Sequence, residues 1–539
     1  MVFKKIYCLA ALAALAFSPA VFVACSDGDG SDGGSESVAG ITIADDQLRQ
    51  SVAFDAATAT VSFNAAGAWV ASIPADASWV TISPAAGEAG DAVITVSLLV
   101  NQGEKRSVVI TITCGGQSVE VSLTQDAKVE YSDGGREDVM LQAFYWDSQN
   151  ETGWSKLKAK TEDIAKSFSC VWLPPSASAE GGGAVGGTNV GYHPRQWNNQ
   201  TSCWGTSDDL KSLISSLHDG GVKVIADIVI NHRSGDNAWG NFTADNFGEY
   251  GDFQLTAEHI CADDEMNDPA QCSDEDWCGK ATGADDTGEN WGGARDLDHT
   301  SAYVQADCEA YLAWLKGDYG YDGWRYDFCK GYDGRFVGIY NDATEPYLSV
   351  GEMWDGSYDV VKAWIEATGF KSMAFDFPAK YSALNDGLAN KDFSKMSWQE
   401  DGSTWRPAGL IHHNSTNAYA VTFVDNHDTY RDDNKYKGDI LQAYAFILSS
   451  PGVPCVFWPD WVNKNYKSSI EAMIAARKSV GLTNISDVKV TARARYYEAQ
   501  AIGRRGSLIC RIGLAAPTSA PEGYTVACQG SGWSFFIKK

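Results

Sequence analysis

Between residues 138 and 482 the chain alternates eight times between a short apolar run and a longer amphipathic stretch, and few architectures accept that rhythm. The runs read as strands at 139–146 "VMLQAFYW", 170–175 "CVWLPP", 223–230 "KVIADIVI", 322–328 "DGWRYDF", 347–354, 372–378, 419–426 and 454–459. Helical spacing fills the intervals: in 207–219, Leu210, Leu213, Ile214 and Leu217 fall at i, i+3, i+4 and i+7. The alternation predicts an α/β fold, a (β/α)8 barrel over residues 138–482. Residues 233–300, rich in Gly, Asp and Asn and without a helix of their own, interrupt it after the third strand. They are predicted to form an inserted domain B with a functional role. From 483 to 539, "VKVTARARYYEA", "SLICRIG" and "YTVACQG" return to β patterns and predict a C-terminal antiparallel β-domain.

The first 137 residues follow a different grammar. Lys4 and Lys5, the apolar run "YCLAALAALAF" and the exit "VFVAC" have the shape of a secretory signal over residues 1–25, too short and too polar at its end for a membrane anchor. Residues 26–37 are Gly, Ser and Asp with one Glu, a flexible acidic linker that cannot bury a core. Residues 38–127 carry six short alternating runs, from "TATVSFNA" to "SVEVSLT", and predict a small antiparallel β-sandwich. Trp69 and Trp79 lie in those runs and read as core residues.

Composition limits the partners. A formal charge of -28, from 70 acidic against 42 basic residues, repels nucleic acid and anionic lipid and favours a neutral or cationic ligand or a metal. The 19 Trp and 23 Tyr suit stacking on apolar sugar faces and plain packing alike. Outside Cys8 and Cys25, eleven Cys remain, and an odd count leaves at least one free thiol. Cys261 with Cys272 or Cys278, and Cys510 with Cys528, are close enough in sequence to pair. Cys329 reads as a small buried hydrophobe.

Charges at the strand ends are the chemical signal. In 322–328 the alternation puts Arg325 and Asp327 on one side and Trp324, Tyr326 and Phe328 on the other, facing the helices. Asp227, Asn231 and His232 end the third strand, Glu352 the fifth, and Asp425, Asn426, His427 and Asp428 the seventh. A barrel carries its chemistry at the C-terminal ends of its strands, so these four ends converge on one face.

The segments "DIVINH", "GWRYDFCKG", "GEMW" and "FVDNHD", in this order, resemble the four short motifs of α-amylases of glycoside hydrolase family 13. "VWLPP", "GYHPRQW", "DTGENWGGARDLDH" and "PGVPCVFW" extend the likeness to plant-type and related archaeal and bacterial members. The resemblance implies an endo-acting, retaining hydrolase of α-1,4-glucosidic bonds in starch and related glucans. It implies Asp327 as nucleophile, Glu352 as general acid and base, and Asp428 as the third acid. Arg325, His232, His427, Tyr192 and Lys330 are implied substrate-site residues. A Ca2+ site is implied at Asn231, Asp286 and Asp296, with Glu289 and Gly331 offering carbonyls. The 31-residue step from Asp296 to Asp327 agrees with the plant-type pattern, as does Gly331 after Lys330. Alternatives are a maltooligosaccharide-forming amylase or a transglycosylase of the same family. A catalytically silent starch-binding lipoprotein would have lost a carboxylate, and all three are present.

"VFVAC" resembles a lipoprotein signal, with Cys25 as the lipidated residue, and "SDGDGSDGG" resembles the tethers of surface-exposed Bacteroidetes lipoproteins. Together they imply anchoring in the outer membrane by lipid alone. The run "WVTISPAAGEAGDAVITVSL" resembles the BACON domain, with a spacer role expected. Nothing in the sequence demands a protein partner, and a monomer is expected.

Overall fold

The computed structural model of the chain describes residues 35–38, 40–52, 56–101, 105–125, 135–180, 190–235, 240–273, 276–413, 415–431 and 433–539. The signal, Cys25 and most of the acidic linker lie outside them. The chain divides after Glu130 into two compact units.

Two five-stranded sheets build the first unit. One is ordered Ser35–Val38, Ile41–Ala44, Thr58–Ala65, Gly90–Leu98, Val80–Ser83, and the other Arg49–Val52, Gln117–Gln125, Arg106–Cys114, Trp69–Ser72, Ala86–Gly87. Alternation along the strands turns every second side chain inward, so Phe63, Ile94 and Val96 of one sheet share a core with Trp69, Ile110 and Val121 of the other. The first strand starts at Ser35, inside the stretch read as linker, because Gly40 at φ 104° allows a hairpin onto Ile41–Ala44. One pairing is parallel rather than antiparallel. The short helix Asp45–Leu48 carries the chain from the first sheet to the second, and Arg49–Val52 arrives alongside Ser122–Gln125 in the same direction. Trp69 is buried edge-on to Phe63, and Trp79 lies half-buried under the Arg106 guanidinium, 4.1 Å from its ring.

In the second unit all eight expected strands form and close into a parallel barrel. They are β1 Met140–Gln142, β2 Cys170–Trp172, β3 Lys223–Ile228, β4 Gly323–Tyr326, β5 Ser349–Gly351, β6 Met373–Phe375, β7 Ala420–Phe423 and β8 Val453–Phe457. The helix Ser207–Asp219 begins at a reciprocal capping box between Thr206 and Asp209 and buries the four apolar residues read from its spacing. Among the described residues, the insertion after β3 contains no α-helix, only three single 3-10 turns and two short strand pairs. His232–Arg233 pairs with Arg295–Asp296 to close its neck. Inside it, buried Arg233 meets Asp245 and Arg295 meets Asp264, with Glu265 at 2.6 Å, so both arginines of the insertion are neutralised there. A five-stranded antiparallel sheet ends the chain, in the order Asp487–Arg493, Tyr497–Ile502, Ser507–Ile512, Trp533–Lys538, Thr525–Gly530.

The thiol expectations need correction. The single disulfide among the described residues is Cys272–Cys278, and Cys261 is free. Cys510 and Cys528 are also free. Both oppose Phe535 on the strand that runs between them, which puts them two strand spacings apart, about 9.5 Å, beyond the roughly 7 Å a disulfide can span.

Candidate active site

The C-terminal ends of the barrel strands open into a cleft of about 540 Å³ that Asp327, Glu352, Asp428, His232, His427 and Tyr192 all line. At its floor lies Arg325, fully buried on β4. Its Nη1 donates to Asp327 Oδ1 at 2.6 Å and to Asp227 Oδ1, at the end of β3, at 2.7 Å. Its Nη2 stands 2.8 Å from Glu352 Oε1, at the end of β5, close enough for an ion pair but at an angle that makes no hydrogen bond. The register explains the assembly: Arg325 sits opposite Asp227 on one neighbouring strand and opposite Val350, two residues before Glu352, on the other.

One guanidinium therefore faces three carboxyl groups. Burial pushes all three above the usual carboxylate range and Arg325 offsets this only in part. Asp227 rises to about 7 and Glu352 well above its ordinary value, with Asp327 and Asp428 adding to the push on Glu352. Glu352 is thus a carboxyl group whose protonated form burial favours. Asp327 is also raised, but it holds the direct hydrogen bond to Arg325 that favours its charge.

The flanking groups complete the floor and walls. Asp227 Oδ2 accepts from Tyr192 at 2.7 Å and from Trp172 Nε1 at 3.0 Å, so it orients Tyr192, which stacks on His427 with ring centres 5.2 Å apart. Trp146 Nε1 donates to Asp428 Oδ1 at 3.0 Å. With the Gln142 amide donating to His427 Nδ1 at 2.9 Å, the His427 proton sits on Nε2, 3.2 Å from Asp428 Oδ2. Burial lowers His427 to about 4 and His232 to about 3, so both are neutral hydrogen-bonding groups at working pH. Lys330 Nζ lies 2.7 Å from Glu289 Oε1 and 4.0 Å from Asp355 Oδ2.

Three aromatic cleft residues, Trp146, Trp291 and Trp354, carry no local sequence signal that separates them from core tryptophans. Trp291 stacks on His232 with ring centres 3.9 Å apart. Phe328 corrects the strand reading: β4 ends at Tyr326, and Phe328, at φ 42°, lines the cleft instead of facing the helices. Trp324 and Tyr326 do face outward, reaching Thr344 and Asn341 of the following helix, Gly334–Thr344.

Asn231, Asp286 and Asp296 also come together, beside the neck of the insertion. Asn231 Nδ2 donates to Asp296 Oδ1 at 2.9 Å, and Gly331 packs so tightly that a Cβ there would meet Asn231 Oδ1 at 1.9 Å. Glu289 N donates to the Lys330 carbonyl at 2.7 Å, which ties the insertion to the turn before Gly331. Burial raises Asp296 to about 9 and Asp286 to about 6, with neighbouring carboxylates adding to both. Asp286 Oδ2 is buried without a hydrogen-bond partner among the described residues. A buried oxygen cluster with surplus negative charge and one orphaned carboxylate oxygen fits a hard divalent cation. Cys261, read from sequence as a disulfide partner, instead donates its thiol to Asp286 Oδ1 at 3.1 Å.

Comparison with known proteins bears on the family and the fold. Residues 68–126 match the BACON model, described as a putative N-terminal binding domain. "Probable alpha-amylase 2" of Arabidopsis thaliana is 30% identical over 430 residues, 75% of this chain and 94% of that protein. "Alpha-amylase 3, chloroplastic" of the same plant is 30% identical over 424 residues, 75% of this chain but 44% of that longer protein. The solved structure of an alpha-amylase from Malbranchea cinnamomea shares the fold, with a TM-score of 0.53 at 15% identity over 75% of this chain and 97% of that one. Residues 167–463, over half of the chain, match the alpha-amylase catalytic domain, and the chain belongs to that family of glycoside hydrolases.

Proposed function

We propose that the protein is an endo-acting, retaining α-amylase that cleaves α-1,4-glucosidic bonds of starch and related glucans. The observation that carries the reading is the single buried guanidinium holding Asp327 on one terminal nitrogen and facing Glu352 with the other. Two carboxyl groups gathered on one planar cation favour the short separation of a retaining pair, about 5–5.5 Å, over the roughly 6.5–9.5 Å that admits a water in inverting enzymes. Asp327, charge-stabilised by Arg325, attacks the anomeric carbon; Glu352, kept protonated by burial, gives its proton to the leaving oxygen and then takes one from the incoming water. Asp428, positioned by Trp146 and His427, accepts from hydroxyls of the distorted sugar. Neutral His232 and His427 hydrogen-bond the same sugar, and the Tyr192 ring stacks beneath it. Lys330 serves the adjoining sugar. A cleft lined by aromatic faces suits a glucan chain.

Asn231, Asp286 and Asp296 would hold the Ca2+ ion, with the Glu289 and Gly331 carbonyls beside them. Bound there, the ion supplies charge neutralisation that fixes the neck of the insertion against the β4 turn. Export and lipid anchoring through Cys25 at the outer membrane surface belong to the same reading, supported by the signal and tether motifs, with the protein acting as a monomer. Among the described residues, no helix is long and apolar enough to cross a membrane.

The test is the time course of products from soluble starch with the purified chain from residue 26, followed by chromatography and anomeric NMR. Early mixed oligosaccharides released as α anomers are expected. A single short product from the outset would favour a maltooligosaccharide-forming enzyme, new linkages a transglycosylase, and binding without products a silent binder. Replacement of Cys25 by Ser is expected to release the protein from membranes.

A further inference from the structure

The turn that follows Asp327 is held in a conformation its residue does not favour. Phe328 sits at φ 42°, in the left-handed region where a Cβ crowds the following carbonyl and where glycine or asparagine is usual. A bulky residue persists there only when its surroundings over-determine it. Three contacts do so. The Phe328 N–H donates to Glu352 Oε2 at 3.1 Å. Its carbonyl accepts from Gly331 N at 3.1 Å, closing a tight turn. Its ring lines the cleft, 6.2 Å from Trp291. Had β4 continued in extended form, the N–H of residue 328 would have stayed in the sheet's own bonding direction and its ring would have faced the helices.

The backbone bond matters because Glu352 has little else. Among the described residues its Oε1 makes no hydrogen bond and only approaches Arg325 Nη2, so the Phe328 amide is the hydrogen bond found there that fixes the rotation of the carboxyl group. We propose that Phe328 is a positioning residue for Glu352: its left-handed backbone, more than its apolar side chain, aims the amide that orients the catalytic carboxyl group. The inference rests on the proposed role of Glu352 as general acid.

A substitution series separates backbone from side chain, because the two properties rank the replacements differently. Left-handed tolerance runs Gly, Asn, Ala, Val, whereas apolar character runs Val, Ala, Gly, Asn. Phe328→Gly, Phe328→Asn, Phe328→Ala and Phe328→Val are compared with the wild type in the full chain, with a maltooligosaccharide of defined length as substrate. Loss of the ring is expected to raise KM in all four. The turnover number is expected to follow the backbone order, with F328V about tenfold or more below F328N. Should F328V fail to fold, F328A falling below F328N tests the same order. Turnover that follows apolar size, or that is equal across the series, overturns the inference. A wild-type protein with no activity on any glucan refutes the functional reading instead, and the two failures are distinct.

Discussion

Arg325→Met removes the guanidinium that faces three carboxyl groups while keeping an apolar stem of similar length. Wild-type Arg325 is fully buried, contacts Asp227, Asp327 and Glu352, and lies over the rings of Trp172 at 5.0 Å and Tyr192 at 5.8 Å. Methionine can refill much of the ring contact, so the loss is chiefly electrostatic. Stripping the partner from a buried charge costs about 3–5 kcal/mol. At about 2.1 cal/mol/K per residue over the roughly 400 residues of the second unit, that corresponds to a fall of about 4–6 °C in its melting temperature near pH 8. The sign of the pH dependence follows from burial. Asp227, Asp327 and Glu352 already sit above the ordinary carboxylate range in the folded protein, and loss of Arg325 moves them further up. A carboxyl group raised on folding leaves stability intact below its unfolded pKa of about 4 and withdraws it as pH rises toward the folded value. The deficit of R325M should therefore be small near pH 4.5 and grow through pH 8. Calorimetry of both proteins at five or six pH values checks this. A deficit that stays constant across the range, or below about 1 kcal/mol at pH 8, would refute the account of Arg325 as the shared counter-charge.

Further outcomes follow from the same site. Asp327→Asn should lower turnover by several orders of magnitude while glucan binding and the melting temperature stay close to wild type, because shape is kept and only the nucleophile is lost; near-normal activity would sink its assignment. Glu352→Gln should lose far more activity on starch than on a glycoside whose leaving group needs no proton, and equal loss on both would remove the acid role. Thorough chelation should lower the melting temperature, and titrated Ca2+ should restore it progressively, by about 2.7 kcal/mol at a hundredfold excess over its Kd; a melting temperature indifferent to verified metal removal would count against the Asn231, Asp286 and Asp296 site.

Much of this was legible in the chain itself. A parallel barrel strand is buried on both faces, so its residues form compact apolar runs that stand out against amphipathic helices, and all eight runs became strands. Arg325 was conspicuous for the same reason: a charge inside such a run has to face the barrel's interior, and Asp227, Glu352 and Asp327 are what it meets there. The grouping of Asn231 with Asp286 and Asp296 followed from resemblance, and the orphaned Asp286 oxygen gives it a physical reason.

What escaped sequence reasoning depends on direction, which residue type does not encode. A tryptophan in a loop has the same composition signal whether it fills a core, as Trp197 does, or walls a cleft, as Trp291 does; the difference lies in His232 standing 3.9 Å from its ring and Gly293 leaving room beneath it. Cys261 looked like a disulfide partner because spacing permits one, but the insertion pairs Cys272 with Cys278 and turns Cys261 toward Asp286. Phe328 is the sharpest case. Alternation assigned it to the helix side, and alternation holds only while the strand continues; the strand ends at Tyr326, and by Phe328 the backbone amide has its partner outside the ladder. The Asp327 N–H still reaches the Ile228 carbonyl at the end of β3, whereas the Phe328 N–H turns to the Glu352 side chain. The point at which backbone bonding passes from sheet to side chain is thus the point at which the apolar period fails, and it falls one residue past Asp327, where the carboxyl groups have to meet.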